Sequence, residues 1–194
     1  MPRLVACACA NAPMQRARKR LVPLARGRVL ELGVGAGPNL ALYDRAQVEQ
    51  VVAVEPSALL RARAARAPAE VPVEIHDARA EALPFGARSF DTVVCTFTLC
   101  TLSDPLAALA EARRVLRANG RLLYCEHGLA PDADVRRWQH WLEPVWTKLS
   151  GNCHLTRDVT RLLEQRDFTV DELGARYLRR TPRWVGWIRW GSAQ

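Results

Sequence analysis

Short apolar runs alternate with helix-patterned segments along most of the chain, and this alternation restricts the fold more than any other feature. RVLELG (28–33), QVVAVEP (50–56), VPVEIH (71–76), FDTVVCTF (90–97) and GRLLYCEHG (120–128) are rich in β-branched and aliphatic residues and predict strands. The segments between them read as helices. NLALYDRA (39–46) follows the first run, and SALLRARAARA (57–67) opens on Ser57 as its N-cap. DPLAALAEARRVLRANG (104–120) has Asp104 as N-cap, Pro105 in the first turn and Asn119-Gly120 as terminator. Strand then helix, repeated, gives a parallel sheet with helices on both faces. After residue 128 the texture changes. VRRWQHWLEPVWTKL (135–149) sets Trp138, Trp141, Val145 and Trp146 near one helical face, interrupted by Pro144. That pattern predicts a helix packed on the sheet or walling a pocket. TRDVTRLLEQRDF (156–168) predicts another helix with Thr156 as N-cap. FTVDELGARYL (168–178) and RWVGWIRW (183–190) predict two closing strands, paired antiparallel.

Straight after the first strand comes VLELGVGAGPNL (29–40), an acid followed by three glycines at alternate positions. Ligands of open parallel sheets bind in the crevice at the carboxyl ends of the strands. Gly33, Gly35 and Gly37 let the chain turn sharply there and keep side chains out of the ligand's space. The spacing is not the dinucleotide GxGxxG, because Pro38 stands where its third glycine belongs, and no P-loop GK[ST] is present. Glu55 ends the second run, about twenty residues on, where a carboxylate can accept two hydrogen bonds from a ribose diol. A nucleoside-type cofactor is the expectation.

The chain has 28 Lys plus Arg against 20 Asp plus Glu, a formal net charge of +8, which favours anionic partners. Its tightest basic run, Arg16, Arg18, Lys19 and Arg20, reads as the solvated face of a surface helix. Six cysteines form no CxxC pair, so neither a zinc site nor a thioredoxin-type motif is expected, and a reducing cytosol fits their use. The opening MPRLVACACANAP mimics a secretory signal poorly and reads as a frayed terminus. No stretch approaches the ~20 apolar residues of a membrane span.

Taken in order, Glu31-Leu32-Gly33-Val34-Gly35-Ala36-Gly37, Glu55, ARAEALPFGARSFDTVVC (78–95) and RRVLRANGRLLYCEH (113–127) resemble the motifs of class I S-adenosylmethionine-dependent methyltransferases. The resemblance implies an α/β fold: a single-domain, Rossmann-like, doubly wound sheet, mostly parallel and seven-stranded with an antiparallel C-terminal strand. Residues 26–194 would form that domain and residues 1–25 a basic N-terminal extension. S-adenosyl-L-methionine would be held by Glu31, Gly33, Gly35, Gly37, Asn39, Glu55, Pro56, Ala80, Glu81, Thr96, Thr98 and Leu99. Arg79 stands where the family usually has an acid, which leaves backbone groups near Ala80 and Glu81 to hold adenine.

VVCTFTLCTLSDP (93–105), CEHG (125–128), the Trp-containing helix and CHLTR (153–157) look like the branch that includes the thiol S-methyltransferases of animal microsomes and small bacterial relatives. That likeness implies an acceptor pocket with Cys100, Trp141, Cys153, His154 and Arg157, and places His127 and Glu126 as general base or substrate holder. No metal is expected. The animal members carry an N-terminal hydrophobic anchor that this sequence does not show, so membrane residence is not implied.

Three function classes follow. The first is a small-molecule methyltransferase acting on a thiol, a quinone-like phenol or an amine. The second acts on lipid head groups or nucleic acid, prompted by the charge and by RYLRRTPRWVGWIRW (176–190), whose arginines and tryptophans suit an anionic membrane surface. With no RNA-binding module recognisable, nucleic acid is not expected as a partner, nor is an obligatory protein partner. The third is a protein that binds the cofactor without catalysis. A cytoplasmic location is expected.

Overall fold

The computed structural model describes residues 12–194. Cys7, Cys9 and the signal-like opening run lie outside the described residues. The chain begins with α1 (Ala12–Leu21) and continues through β1 (Gly27–Leu32), β2 (Val48–Val54), α2 (Ala58–Ala64), β3 (Val73–His76) and β4 (Phe90–Thr96). Then come α3 (Pro105–Val115), β5 (Leu116–His127), α4 (Ala133–Leu149), α5 (Val159–Glu164), β6 (Val170–Tyr177), α6 (Arg183–Gly186) and β7 (Trp187–Ala193). The strands form one seven-stranded sheet in the order β3-β2-β1-β4-β5-β7-β6. β1 to β5 run parallel, and β7 lies antiparallel between β5 and β6.

The alternation of side chains along each strand divides the core into two. Val29, Val51, Ala53, Val94, Leu123 and Cys125 pack on one face, with α1 over them through Met14, Ala17 and Leu21. Leu30, Val52, Val54, Val93, Leu122 and Tyr124 pack on the other, under Ala108, Leu109 and Ala112 of α3 and Leu163 of α5. Strands buried on both faces read as continuous apolar runs, which is what the sequence shows.

Ser57 caps α2 by accepting from the Leu60 amide at 3.5 Å, and Asp104 caps α3 by accepting from Ala107 at 2.9 Å, both as expected. Five local expectations are corrected. RWVGWIRW is strand only from Trp187 onward, because Arg183–Gly186 winds into the short helix α6 after Pro182. NLALYDRA forms only a 3₁₀ turn over Leu40–Leu42. Asn39 makes no cap there because its amide turns inward to Glu31, and Tyr43 is drawn the same way. α3 ends at Val115, before Asn119-Gly120, because residue 116 already pairs with Phe90 of β4. The N-cap of α5 is Asp158, which accepts from Arg161, whereas the Thr156 hydroxyl donates to Glu143. In the basic run, Arg16, Lys19 and Arg20 are exposed but Arg18 is buried, its guanidinium 4.7 Å from the centre of the Phe97 ring.

Candidate active site

At the carboxyl ends of β1, β2 and β4 the structure opens a cavity of about 730 Å³, within the range of small-molecule sites. One wall is the glycine loop. All three of its glycines have positive φ, +68° at Gly33, +57° at Gly35 and +82° at Gly37, but they serve different ends. A Cβ on Gly35 would meet nothing within 4 Å, since it faces the cavity. A Cβ on Gly33 would lie 2.8 Å from Thr98, and one on Gly37 2.7 Å from Ala67. A Cβ on Gly35 would therefore enter open space, while Gly33 and Gly37 admit the protein's own neighbouring side chains.

Two carboxylates flank the loop. Glu55, nearly buried, accepts from the Gly35 amide at 3.1 Å and from the Ser57 amide at 3.0 Å. One oxygen thus fixes the loop and the other the start of α2, and each keeps a lone pair for a further donor. Glu31 is fully enclosed at the end of β1. Its oxygens accept from Asn39 at 2.9 Å and Tyr43 at 2.7 Å. Burial pushes the Glu31 carboxyl up to about 7, against the lowering effect of those bonds and of Arg18. Asn39 also donates to Thr96, and its Oδ1 is a buried acceptor without a partner among the described residues.

Of the expected cofactor residues, Glu31, Gly33, Gly35, Glu55, Pro56, Ala80, Glu81, Thr96 and Thr98 line the cavity. Gly37, Asn39 and Leu99 stand behind that lining and support it. Arg79 also lines it, paired with Glu81 at 3.3 Å. The sequence reading missed Gln15, Arg18 and Phe97. Phe97 takes a left-handed backbone conformation, φ +54°, unusual for a bulky residue. Its ring lies between the Arg18 guanidinium and the His127 imidazole, 4.9 Å from the latter. An aromatic residue ending β4 was the only signal available for it, and nothing local marks Arg18 as inward-facing.

The residues expected to handle the acceptor separate in space. Glu126, expected as a base, is fully buried and does not reach the cavity lining. Its carboxylate accepts from the amides of Thr98 at 2.8 Å, Leu99 at 3.0 Å and Cys100 at 3.2 Å, with the Cys95 thiol at 3.5 Å. Burial raises its pKa in spite of these bonds. Those contacts make Glu126 the anchor of the loop after β4. Trp141 lies on the outer face of α4, away from the cavity. His154 Nδ1 pairs with Glu143 of α4 at 2.8 Å, and Arg157 donates to the carbonyls of Leu99 and Leu102. Glu143 also accepts from the Leu155 amide, so one acid on α4 ties down the CHLTR segment.

Cys100, His127 and Cys153, far apart in sequence, meet in a buried group whose ligand-capable atoms all lie within 4.8 Å of one another. The Cys153 sulfur is 4.0 Å from His127 Nδ1. A hydrogen bond from Cys100, with help from His127, holds the Cys153 thiol down at about 5 against the burial that raises it. No CxxC spacing announces the group, because the sheet assembles it from residues up to 53 positions apart.

Residues 30–124 match the family described as "Methyltransferase domain". The chain is similar to thiol S-methyltransferase TMT1B of Rattus norvegicus, 38% identical over 86 residues, or 44% of this chain and 35% of that one. It is also similar to TMT1B of Mus musculus, 32% identical over 151 residues, or 75% of this chain and 61% of the relative. The matched segments thus span between about a third and three fifths of these curated relatives. Among solved structures, an S-adenosylmethionine dependent methyltransferase from Mesorhizobium loti superposes with a TM-score of 0.68 at 17% identity, covering 97% of this chain and 99% of that one. No helix among the described residues is long and apolar enough to cross a membrane. With its motif order and its sheet order, the chain belongs to the class I S-adenosylmethionine-dependent methyltransferases.

Proposed function

We propose that this chain moves a methyl group from S-adenosylmethionine to a small, partly apolar acceptor, with a thiol as the acceptor class. The observation that carries the cofactor half is the arrangement of Glu31, the open Gly35 and Glu55 around one cavity. A cationic amino-acid group suits the Glu31 end, with the partnerless Asn39 Oδ1 behind it, and a ribose diol suits the spare lone pairs of Glu55. When bound, the cofactor supplies a methyl group already activated on a sulfonium sulfur. The protein's part is then to hold both partners in line and exclude water, an effect worth about 7–11 kcal/mol when orientation is good. Thiol as acceptor is supported by the names of the relatives and by the sulfur-rich group beside the cavity wall. Neither expected base lines the cavity: the Glu126 oxygens are taken by loop amides, and His127 lies behind Phe97.

Calorimetric titration with S-adenosylmethionine and, separately, NAD tests the cofactor. Saturable binding of the first only, weakened at least about tenfold in Glu55→Ala by the loss of a charge-assisted bond pair, is expected. Preference for NAD would overturn the reading. Labelled-methyl transfer to a panel of thiols, phenols and amines then sorts the acceptors.

A second reading places the acceptor, a lipid head group, a quinone-like phenol or an amine, at a membrane surface. The observation favouring it is a stripe on α4. Trp138, Trp141, Val145 and Leu149 recur at helical spacing and are 56%, 70%, 60% and 61% exposed, with Arg137 and Lys148 exposed beside them. Trp on an apolar face with flanking cations suits an anionic lipid interface. Trp138→Ser/Trp141→Ser should abolish sedimentation with anionic vesicles while changing stability by under about 0.5 kcal/mol, as surface substitutions do. Equal sedimentation of the variant and the wild type would remove this reading.

A further inference from the structure

Methyl transfer as derived above makes no use of the Cys100–His127–Cys153 group as a unit. Tetrahedral ligation at about 2.3 Å for sulfur and about 2.05 Å for nitrogen sets ligand atoms about 3.6 Å apart for S and N and about 3.8 Å for two sulfurs. The three side chains already stand within 4.8 Å, with Cys153 and His127 at 4.0 Å, so they exceed that geometry by about 1.2 Å at most. His127 is 5% exposed; its Nδ1 faces the Cys153 sulfur, and its Nε2 has no partner among the described residues.

The backbone under the group is held firmly. The Cys100 amide donates to Glu126 at 3.2 Å and its carbonyl accepts from the His154 amide at 2.7 Å, which ties the loop after β4 to the segment carrying Cys153. Charge limits which ligand fits. The Arg157 guanidinium lies within electrostatic reach of both thiols and opposes any excess positive charge. A divalent ion neutralised by two thiolates adds none. Sulfur and imidazole donors select a soft or borderline ion such as zinc over magnesium or calcium.

We propose that Cys100, His127 and Cys153 form a soft-metal site with three protein ligands, whose fourth position takes a thiol. Three ligands with one open position characterise catalytic zinc sites, whereas structural ones are closed by four. The group sits one residue layer behind the cavity: Phe97, which packs on His127, lines the cavity, as do Thr101 and Gly151. This inference rests on the thiol reading above. A thiol entering the fourth position gives up its proton to solvent and is held as thiolate. The bond that forms joins that sulfur to the methyl carbon, and the bond that breaks joins the methyl carbon to the sulfonium sulfur. The balance needs neither oxidant nor reductant.

Cobalt(II) is the probe, because its visible bands report tetrahedral sulfur ligation without relying on turnover. Reduced, chelator-treated wild-type protein should bind one equivalent, with a thiolate-to-cobalt charge-transfer band and intense visible bands. Both should disappear in Cys100→Ser and Cys153→Ser, with S-adenosylmethionine titration of the same samples showing that the variants fold. A small alkyl thiol should then shift the visible bands of the wild type. Absence of these bands in the wild type overturns the site, as does their survival in both serine variants. Bands that ignore added thiol overturn the open fourth position. Failure of the methyltransferase reading would show separately, as absence of S-adenosylmethionine binding.

Discussion

Glu31 shows how much one residue's setting can differ from its appearance in sequence. It reads as the acid of a glycine motif and so as a charged group, yet enclosure brings its carboxyl from the ordinary 4.5 up to about 7. Between those values the folded chain holds a proton that the unfolded chain has released, so stability is full below the lower value and falls as pH rises through the upper one. The shift corresponds to about 3 kcal/mol. Urea unfolding of the wild type and of Glu31→Gln across that interval should show the wild type losing up to about this much relative to the variant. Parallel curves would mean that Glu31 stays ionised in the folded state. Gly35 and Gly37 make the same point about setting: one faces a cavity and the other Ala67, and no local pattern distinguishes them.

At the scale of elements, the loop after β4 depends on an acid at the end of the next strand, β5. Glu126 at the end of β5 accepts from three successive amides, Thr98, Leu99 and Cys100, and so fixes residues that line or back the cavity. Glu126→Gln keeps one acceptor oxygen and sets an NH₂ against the Cys100 amide. The expected cost is about 1–3 kcal/mol for the unsatisfied pair, seen as a lower urea midpoint together with weaker S-adenosylmethionine binding. A change in activity with both of those intact would return Glu126 to the chemistry. The element α4 likewise has two sides that its tryptophans alone do not separate. Val135 and Gln139 are buried, and Gln139 bonds the Ala130 amide and the carbonyls of Gly128 and Trp184, while Trp138 and Trp141 face outward.

In the molecule as a whole, β7 joins the closing hairpin to the parallel sheet. It pairs with β5 on one side, Arg189 opposite Glu126 and Ile188 opposite His127, and with β6 on the other. Gly174 of β6 lets the Trp190 ring lie flat across the strand, since a Cβ there would come within 2.3 Å of it. Gly174→Ala should therefore destabilise the protein by about 1–3 kcal/mol through overpacking, measured by thermal or urea unfolding. Unchanged stability would mean that the ring moves aside. Because β5 bears both Glu126 and His127, a hairpin defect is expected to reach the site as well as the sheet edge.

Most of each strand, the caps Ser57 and Asp104 and the turn at the glycine loop were legible in the sequence, because each depends on local spacing: period two, a side chain reaching an amide three residues on, or a turn that needs positive φ. The inward turn of Arg18, the αL conformation of Phe97, the commitment of Glu126 to amides and the meeting of Cys100, His127 and Cys153 were not. Each of these arises between residues far apart along the chain, brought together only when parallel strands align their carboxyl ends. The sequence by itself determined the fold and where its crevice opens; the tertiary structure decided which side chains face that crevice and which are spent holding it in place.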